Sequence, residues 1–525
     1  MTRAAGTAPR YPTATTLLER RVREHPDAVA VVGDGAELTY AQLWGRAGEL
    51  GSALREAAAG PGRHIAILAH RSVEAVVAVV AASRAACVLL PLDVDAPPRR
   101  LQAQLEDLDA AVVVGHADRL ELLPALSELR KTQALRLAAP AGRPPRRRAA
   151  GPLPGASAED LAYIVSTSGS TGTPKGVMMH HGGLAHMLSW FLGETSCGPG
   201  ARTLQSTPLH FDVSLQEIFG TLCGGGTLVC CTEAQRADPA LLWELIVAAG
   251  VHRIHLPFAL LQLLALFADD AVLERCVLRE VCCGGEQLQC TKPVKELFRR
   301  LPRCTLFNHY GASEAWMLTS HRLPQDADSW PVIAPIGRPV PDAHLHICDE
   351  DSGVILPPGE SGELVAGGPS TGPGYWRRPA LTAERFVPDR CGAAGRVYGT
   401  GDVVRMDADG VLTFLGRRDT QIKLRGNRIE VGELEVFLNS QPDVTESVVV
   451  ATGEDVAKRL EAFVVPTVPG VEQVLFERLE AEFPPYMVPS RIRELDRLPR
   501  TPTGKADRRL DVLAEAADAR RREAA

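Results

Sequence analysis

The feature that most constrains this chain is an alternation that runs through its first four hundred residues. Short apolar runs such as HIAILAH, AAVVVGH and VHRIHLP are separated by longer Ala, Leu and Glu-rich stretches. Apolar runs of strand length spaced by helical stretches predict mixed α/β layers with a substantial parallel sheet. Beyond about residue 330 the pattern becomes short strands with turn signals, as in HLHICDEDSG, GELVAGG and VVRMDADGVLTFLG, where Asp409-Gly410 marks a hairpin. A third character follows Arg418: VTESVVVATG and EAFVVPTV read as strands, VEQVLFERLEAEF as a helix, together a small α+β domain. The expected division is therefore 1–418 and 419–525. The segment Ala138 to Ala156, rich in Pro, Arg, Ala and Gly, reads as an exposed connection, and the closing AEAADARRREAA as a polar, helix-compatible, solvated tail.

Charge and composition remove several function classes. A net charge of -7 gives no electrostatic reason to bind nucleic acid, and RPPRRR from Arg143 reads as a solvated linker. No run of 18 apolar residues occurs, and MTRAAGTAPRYPTATT lacks an apolar signal core, so the expectation is a cytoplasmic protein without a membrane partner. Twelve cysteines without CxxC spacing fit a reduced compartment. Cys282-Cys283 is expected on a buried strand, and His180-His181 in a structural role.

Chemistry is concentrated at Tyr163 to Gly176, YIVSTSGSTGTPKG. An apolar strand is followed by small hydroxylated residues and glycines and then by Pro174-Lys175-Gly176. Converging backbone N–H groups, hydroxyl donors and one lysine make an anion-binding loop of Thr167, Ser168, Gly169, Ser170, Thr171, Gly172 and Lys175. A Walker A loop is excluded, because Pro174 stands where that motif needs its second glycine. In NHYGASE, Tyr310 offers a π-face for adenine, Asn308 an amide for a base edge, and Glu314 a hard oxygen ligand for magnesium. Asp402, after the tight Thr400-Gly401 turn, suits two ribose hydroxyls, and Arg417 follows on the next hairpin.

STSGSTGTPKG resembles the phosphate loop of the adenylate-forming superfamily, which comprises peptide synthetase adenylation domains, acyl-CoA synthetases and luciferases. The resemblance continues in order from LTYAQL at Leu38 through LLPLD, FDVS, NHYGASE, GELVAGG, YGTGD, GRRDTQIKLRGNRIEVGELE and PPYMVP to TGKADR at Thr503. It implies a large N-terminal domain of layered mixed sheets with a small β-barrel-like part, and a small mobile C-terminal lid. It also implies ATP and Mg2+, nucleotide contacts from Gly285, Glu286, Asn308, Tyr310, Ser313, Asp402 and Arg417, and magnesium at Glu314. Lys505 matches the family's catalytic lysine, and Asp419 the hinge about which the lid turns. Ala312-Ser313 replaces the usual Pro-Thr, which keeps the hydroxyl and loses the proline's rigidity.

FDVS indicates the substrate class. In peptide synthetase adenylation domains an aspartate here, Asp212, pairs with the substrate's α-ammonium; the alternative reading is a helix N-cap before SLQEIF. The remaining pocket positions fall on Val213, Gln216, His255, Cys282, Gly284, His309, Met317 and Leu318. Asp, Val, Gln and His309 resemble pockets that select L-proline; His255 departs from that pattern and leaves a substituted proline, another cyclic imino acid or a small polar amino acid such as serine. The chain ends soon after Lys505 without a phosphopantetheine site, so a separate carrier protein is the expected partner, with room for a small activating protein. Two rivals stand beside this reading: an acid-CoA ligase, and a silent nucleotide-binding homologue, which would have lost Lys505, Glu314 or the phosphate loop.

Overall fold

The computed structural model describes residues 11–33, 35–57, 60–121, 123, 132–137, 155–168, 174–196, 198–349, 352–389, 395–418, 421–453, 457–500 and 506–524, the last four without their side chains. Most of the connection 138–156, the loop residues Gly169, Ser170, Thr171 and Gly172, the hinge Asp419 and Lys505 lie outside the described residues. The chain forms two compact units, one of residues 1–94, 105–166 and 176–418, the other of 95–104, 167–175 and 419–525.

Two large sheets organise the first unit. The first has nine strands, with Thr305–Ala312, Glu280–Gly284, Arg253–Leu256, Arg202–Gln205 and Thr227–Cys230 running parallel in that spatial order and Trp316–Arg322 antiparallel at one side. The second has seven, built on parallel pairs of His64–Leu68 with Val88–Pro91 and Ala110–Gly115. HIAIL and AAVVVG are buried at every position. Continuous apolar runs of this kind belong to strands covered on both faces, as in a parallel sheet flanked by helices.

The helix Val73–Arg84 touches strands of both sheets, and its sequence VEAVVAVVAASR is buried along nearly its whole length. A helix without a polar face is stable only when protein surrounds it. The helix Asp212–Gly224 is of the same kind, buried from Ser214 onward. The LTYAQL motif forms a helix start: Thr39 and Gln42 make a reciprocal capping box on Tyr40–Glu56, and the Tyr40 hydroxyl donates to the carbonyls of Leu222 and Gly226. A separate five-stranded antiparallel sheet carries GELVAGG in Ser361–Gly367 and pairs Arg396–Met406 with Leu412–Arg417. Asp409-Gly410 lies in the turn between that pair, with Gly410 at φ +77° and the Asp407 carboxylate accepting from the Asp409 and Val411 N–H groups. His180 caps the helix His181–Glu194 by accepting from the Gly183 N–H at 2.7 Å, a structural role, and Cys282 and Cys283 lie on a buried strand.

The second unit centres on a three-stranded sheet, Val444–Thr452, Arg459–Pro466 and Arg491–Glu494, packed with the helices Val431–Asn439 and Glu472–Glu482. One expectation fails here. The closing residues are not a solvated tail but part of the helix Leu510–Ala524, with Leu513 and Ala517 in a small core beside Phe463 and Leu495. Arg493 pairs with Asp518, and Arg520 with Glu494. Two apolar positions spaced i, i+4 fix the helix, and the charges around them conceal its packing in the sequence. No helix among the described residues is long and apolar enough to cross a membrane.

Candidate active site

NHYGASE builds a hairpin whose tip carries the carboxylate. Thr305–Ala312 and Trp316–Arg322 pair antiparallel, with a register shift between Tyr310 and Gly311. A Cβ on Gly311 would stand 2.0 Å from the Trp316 carbonyl oxygen, so only glycine fits the close approach, and Trp316 adopts φ +56°. Strained backbone of this kind marks a turn held by its surroundings. The fully buried Glu314 at the tip accepts a 2.9 Å hydrogen bond from the Tyr375 hydroxyl, and its carbonyl accepts from the Gly372 N–H. Half-buried Ser313 precedes it.

Tyr310, Asp402 and Arg417 form one constellation. The Tyr310 hydroxyl donates to Asp402 Oδ2 at 2.5 Å, and Arg417 pairs with Oδ1 of the same carboxylate. The strand register causes the pairing, because Asp402 stands directly opposite Arg417. All three are largely removed from water. Glu363 supports the turn beneath: it accepts from the Gly401 N–H and pairs with Arg418 at 2.7 Å. Burial beside Asp402 holds the Tyr310 phenol far above its ordinary range, so it acts as a hydrogen-bond donor.

Two expected nucleotide contacts have further duties. The Asn308 amide nitrogen donates to the carbonyls of Pro335 and Ala334, which leaves its oxygen as the group for a base edge. Glu286 accepts from the Ala259 N–H at 2.9 Å and so caps the helix Phe258–Leu266, whose N-cap Pro257 supplies no side-chain bond. Gly285 sits between them and the strand end at φ +81°. Thr167 closes the strand Leu161–Thr167, and Ser168 donates to the Arg428 carbonyl and accepts from the Glu430 N–H within the second unit. Lys175 begins the strand Lys175–His180 and is buried.

The amino-acid positions converge within the first unit. Asp212 is the first residue of its helix rather than the N-cap, which is Phe211 and caps with no side chain. Its carboxylate accepts from the Val213 N–H at 2.8 Å, at the positive end of the helix. Gln216 follows one turn on, fully buried. Across from the helix, strand register sets His255 opposite Cys282, and Gly284 opposite His309, so these side chains share one sheet face. Met317 and Leu318 come from the antiparallel strand beside them. Burial pushes the His309 imidazole down to about 4 and holds His255 well below the usual imidazole range, so both are neutral near pH 7.

Several residues outside the sequence-derived set hold this pocket. Arg253 pairs with Glu280, whose other oxygen accepts 2.7 Å bonds from the Ser196 N–H and hydroxyl. The Phe191 ring lies 5.5 Å from His255 and 6.4 Å from His309. Glu217, the neighbour of Gln216, accepts from Ser206, Thr207 and Gln205 and fixes the chain after Arg202–Gln205; burial pushes its carboxyl up to about 7. The pattern Arg-Ile-His at 253–255 places Arg253 on the face of His255, a signal available in the sequence. Phe191, on the helix His181–Glu194, and Ser196, just after its end, carry none, because only tertiary packing brings them here.

For magnesium the fit is a single protein carboxylate. No group of three or more His, Cys, Asp or Glu side chains that could hold a metal occurs among the described residues, and a magnesium ion held at buried Glu314 would take its other ligands from phosphate and water. That is the coordination magnesium prefers.

Comparison with known proteins agrees with the geometry. Residues 18–376 match the AMP-binding enzyme family, and 433–505 its C-terminal domain. Phosphinothricin tripeptide synthetase PhsB of Streptomyces viridochromogenes is 40% identical over 502 residues, covering 94% of this chain and 41% of that protein. The dimodular nonribosomal peptide synthase of Bacillus subtilis is 34% identical over 510 residues, covering 94% of this chain and 21% of its own length. The chain thus spans less than half the length of these relatives. Among solved structures, the amide bond synthetase McbA from Marinactinospora thermotolerans superposes with a TM-score of 0.83 at 27% identity, covering 96% of this chain and 99% of that one. PA1221, a nonribosomal peptide synthetase protein with adenylation and carrier domains, gives 0.82 at 27% identity, covering 95% and 84%. The chain belongs to the family of AMP-binding enzymes, the adenylate-forming ligases, and the relatives it resembles include peptide synthetases of which it spans only a part.

Proposed function

We propose that the chain activates an amino acid as its aminoacyl-AMP and then passes the acyl group to the phosphopantetheine thiol of a carrier protein. The observation that carries this reading is Asp212, a carboxylate in the first turn of a buried helix whose next turn presents Gln216 to the same pocket. A buried substrate ammonium needs such a partner, since an unpaired buried charge costs several kcal/mol, of order ~3–5.

In the first half-reaction a carboxylate oxygen of the amino acid attacks the α-phosphorus of ATP, and pyrophosphate leaves with the bond pair. Asp402 accepts the ribose hydroxyls, held in place by Tyr310 and Arg417. Lys505 and the phosphate loop offset the repulsion between two anions that must meet. Glu314 would hold magnesium, which when bound would supply charge neutralisation at the phosphates. Asp419 serves as the hinge of a mobile lid, residues 419–525, whose closure excludes water from the mixed anhydride. In the second half-reaction a thiolate attacks the acyl carbon, forming a thioester and releasing AMP.

The substrate we assign is a compact amino acid: L-proline or a substituted proline by the likeness of Asp212, Val213, Gln216 and His309, or serine, which His255 favours. A small activating partner is compatible with this scheme. The test is ATP–pyrophosphate exchange across an amino-acid panel, followed by transfer to a carrier protein or to coenzyme A. Exchange stimulated by an acid without an amino group, with release of a free CoA thioester, would replace this reading by the acid-CoA ligase. Nucleotide binding without exchange on any acid would identify a silent homologue.

A further inference from the structure

The side-chain end of the pocket holds more polar atoms than the protein itself satisfies. Gln216 Oε1 and Nε2, His255 Nε2 and His309 Nε2 are buried and have no hydrogen-bond partner among the described residues. Native interiors rarely leave such groups unmet, and several in one place need an explanation.

These atoms belong to one locus. A Cβ on Gly220 would meet the Phe191 ring at 2.7 Å, so the helix Asp212–Gly224 lies against that ring at Gly220. Gln216 is four residues earlier and therefore on the same helix face. Both imidazoles pack edge-on against the same ring. Each is neutral, so each offers one ring N–H and one lone pair. Arg253 beneath them is already neutralised by Glu280. Its Nη1 is buried without a partner among the described residues, so Arg253 can add an N–H donor here but no uncompensated charge.

We propose that the substrate's side chain carries a hydroxyl, which pairs with Gln216, His255 and His309. Resting on the amino-acid reading above, this narrows its substrate class to a short hydroxylated amino acid, serine, threonine or a hydroxyproline. A hydroxyl is donor and acceptor at once, which suits a set of neutral imidazoles and an amide. A hydrocarbon side chain would seal the four polar atoms away from water without partners. Sites built to bond a hydroxyl discriminate against the analogue without it by up to about 10⁴–10⁵.

The experiment compares matched pairs by ATP–pyrophosphate exchange: serine with alanine, threonine with valine, and trans-4-hydroxy-L-proline with L-proline. Asparagine and glutamine are included. The best substrate is expected to be a hydroxylated one, with kcat/KM at least about 100-fold above its hydrocarbon twin. In His255→Leu and His309→Leu the ratio within that pair should fall at least tenfold, a readout independent of any general loss of activity. The inference is overturned if the hydrocarbon twin comes within tenfold in the wild type, if an amide side chain outperforms every hydroxylated one, or if neither leucine variant moves the ratio. Absence of exchange with every amino acid would defeat the amino-acid reading itself, and the inference with it, and is told apart by the missing activity on all members of the panel.

Discussion

The Tyr310, Asp402 and Arg417 constellation invites a quantitative test, because its three contacts are local and its partners come from different strands. Tyr310→Phe keeps the ring and removes one hydrogen bond, 2.5 Å long, to an ionised oxygen that is nearly inaccessible. Bonds to charged groups contribute about 1.5–3 kcal/mol. Asp402→Asn also removes the charge that Arg417 faces, and breaking a buried pair costs about 3–5 kcal/mol. The expected order is thus Asp402→Asn above Tyr310→Phe, and the double variant should fall short of additivity by about 1.5–3 kcal/mol. Urea unfolding followed by tryptophan emission reads the relevant unit, since all six tryptophans precede residue 419. A Tyr310→Phe effect below about 0.5 kcal/mol, or strict additivity, would refute the hydrogen bond as a structural element. The KM for ATP, measured on the folded variants, should rise in the same order if Asp402 receives the ribose as proposed, because that carboxylate loses its orientation.

Two further outcomes follow from the same reasoning. Lys505→Ala should abolish most adenylation while ATP still binds, because the charge matters where the anions approach; pyrophosphate exchange within about threefold of wild type, well under ~1 kcal/mol, would remove Lys505 from the chemistry. Acid should destabilise the first unit. Burial depresses the His181 and His309 imidazoles to about 4 and lowers His255 as well, so each contributes stability that is complete above the unfolded value of 6.5 and is lost as pH falls below it. Each of the first two is worth about 3 kcal/mol over that window. Glu217, raised to about 7, acts with opposite sign and offsets one of them. Stability measured by the same emission should therefore fall between pH 7 and 4, and His309→Asn should reduce the slope by up to one proton; a flat profile would contradict the buried neutral imidazoles.

Much of the fold was legible because the apolar runs are long and strictly patterned. HIAIL, AAVVVG and Arg-Ile-His-Leu are strands as their composition requires, and Asp409-Gly410 turns a hairpin. The pocket positions were legible only through resemblance, since nothing local tells Gln216 from any other buried helical residue. Supports such as Tyr375 under Glu314, 61 residues away, or Ser196 under Glu280, 84 away, depend on tertiary packing that no window of sequence contains. The helical character of the closing segment was legible but its packing was not, because its Ala and Arg content suits solvent equally well. Its two buried positions acquire meaning only beside Phe463 and Leu495.

The register that aligns His255, Cys282, Gly284 and His309 has a consequence for redesign. Their backbones belong to the parallel ladder and are bonded there regardless of side chain. On the function proposed above, replacing His255, Cys282 or His309 should change what the pocket recognises without asking the sheet to rebuild, whereas a Cβ on Gly284 would meet the His309 carbonyl oxygen at 3.0 Å. Arg253 and Glu280, which alternate onto the same face one step below, do not share this freedom, for either alone would leave its partner's charge buried. Variant libraries that hold this ion pair fixed and vary the row above it should retain folded protein at most combinations.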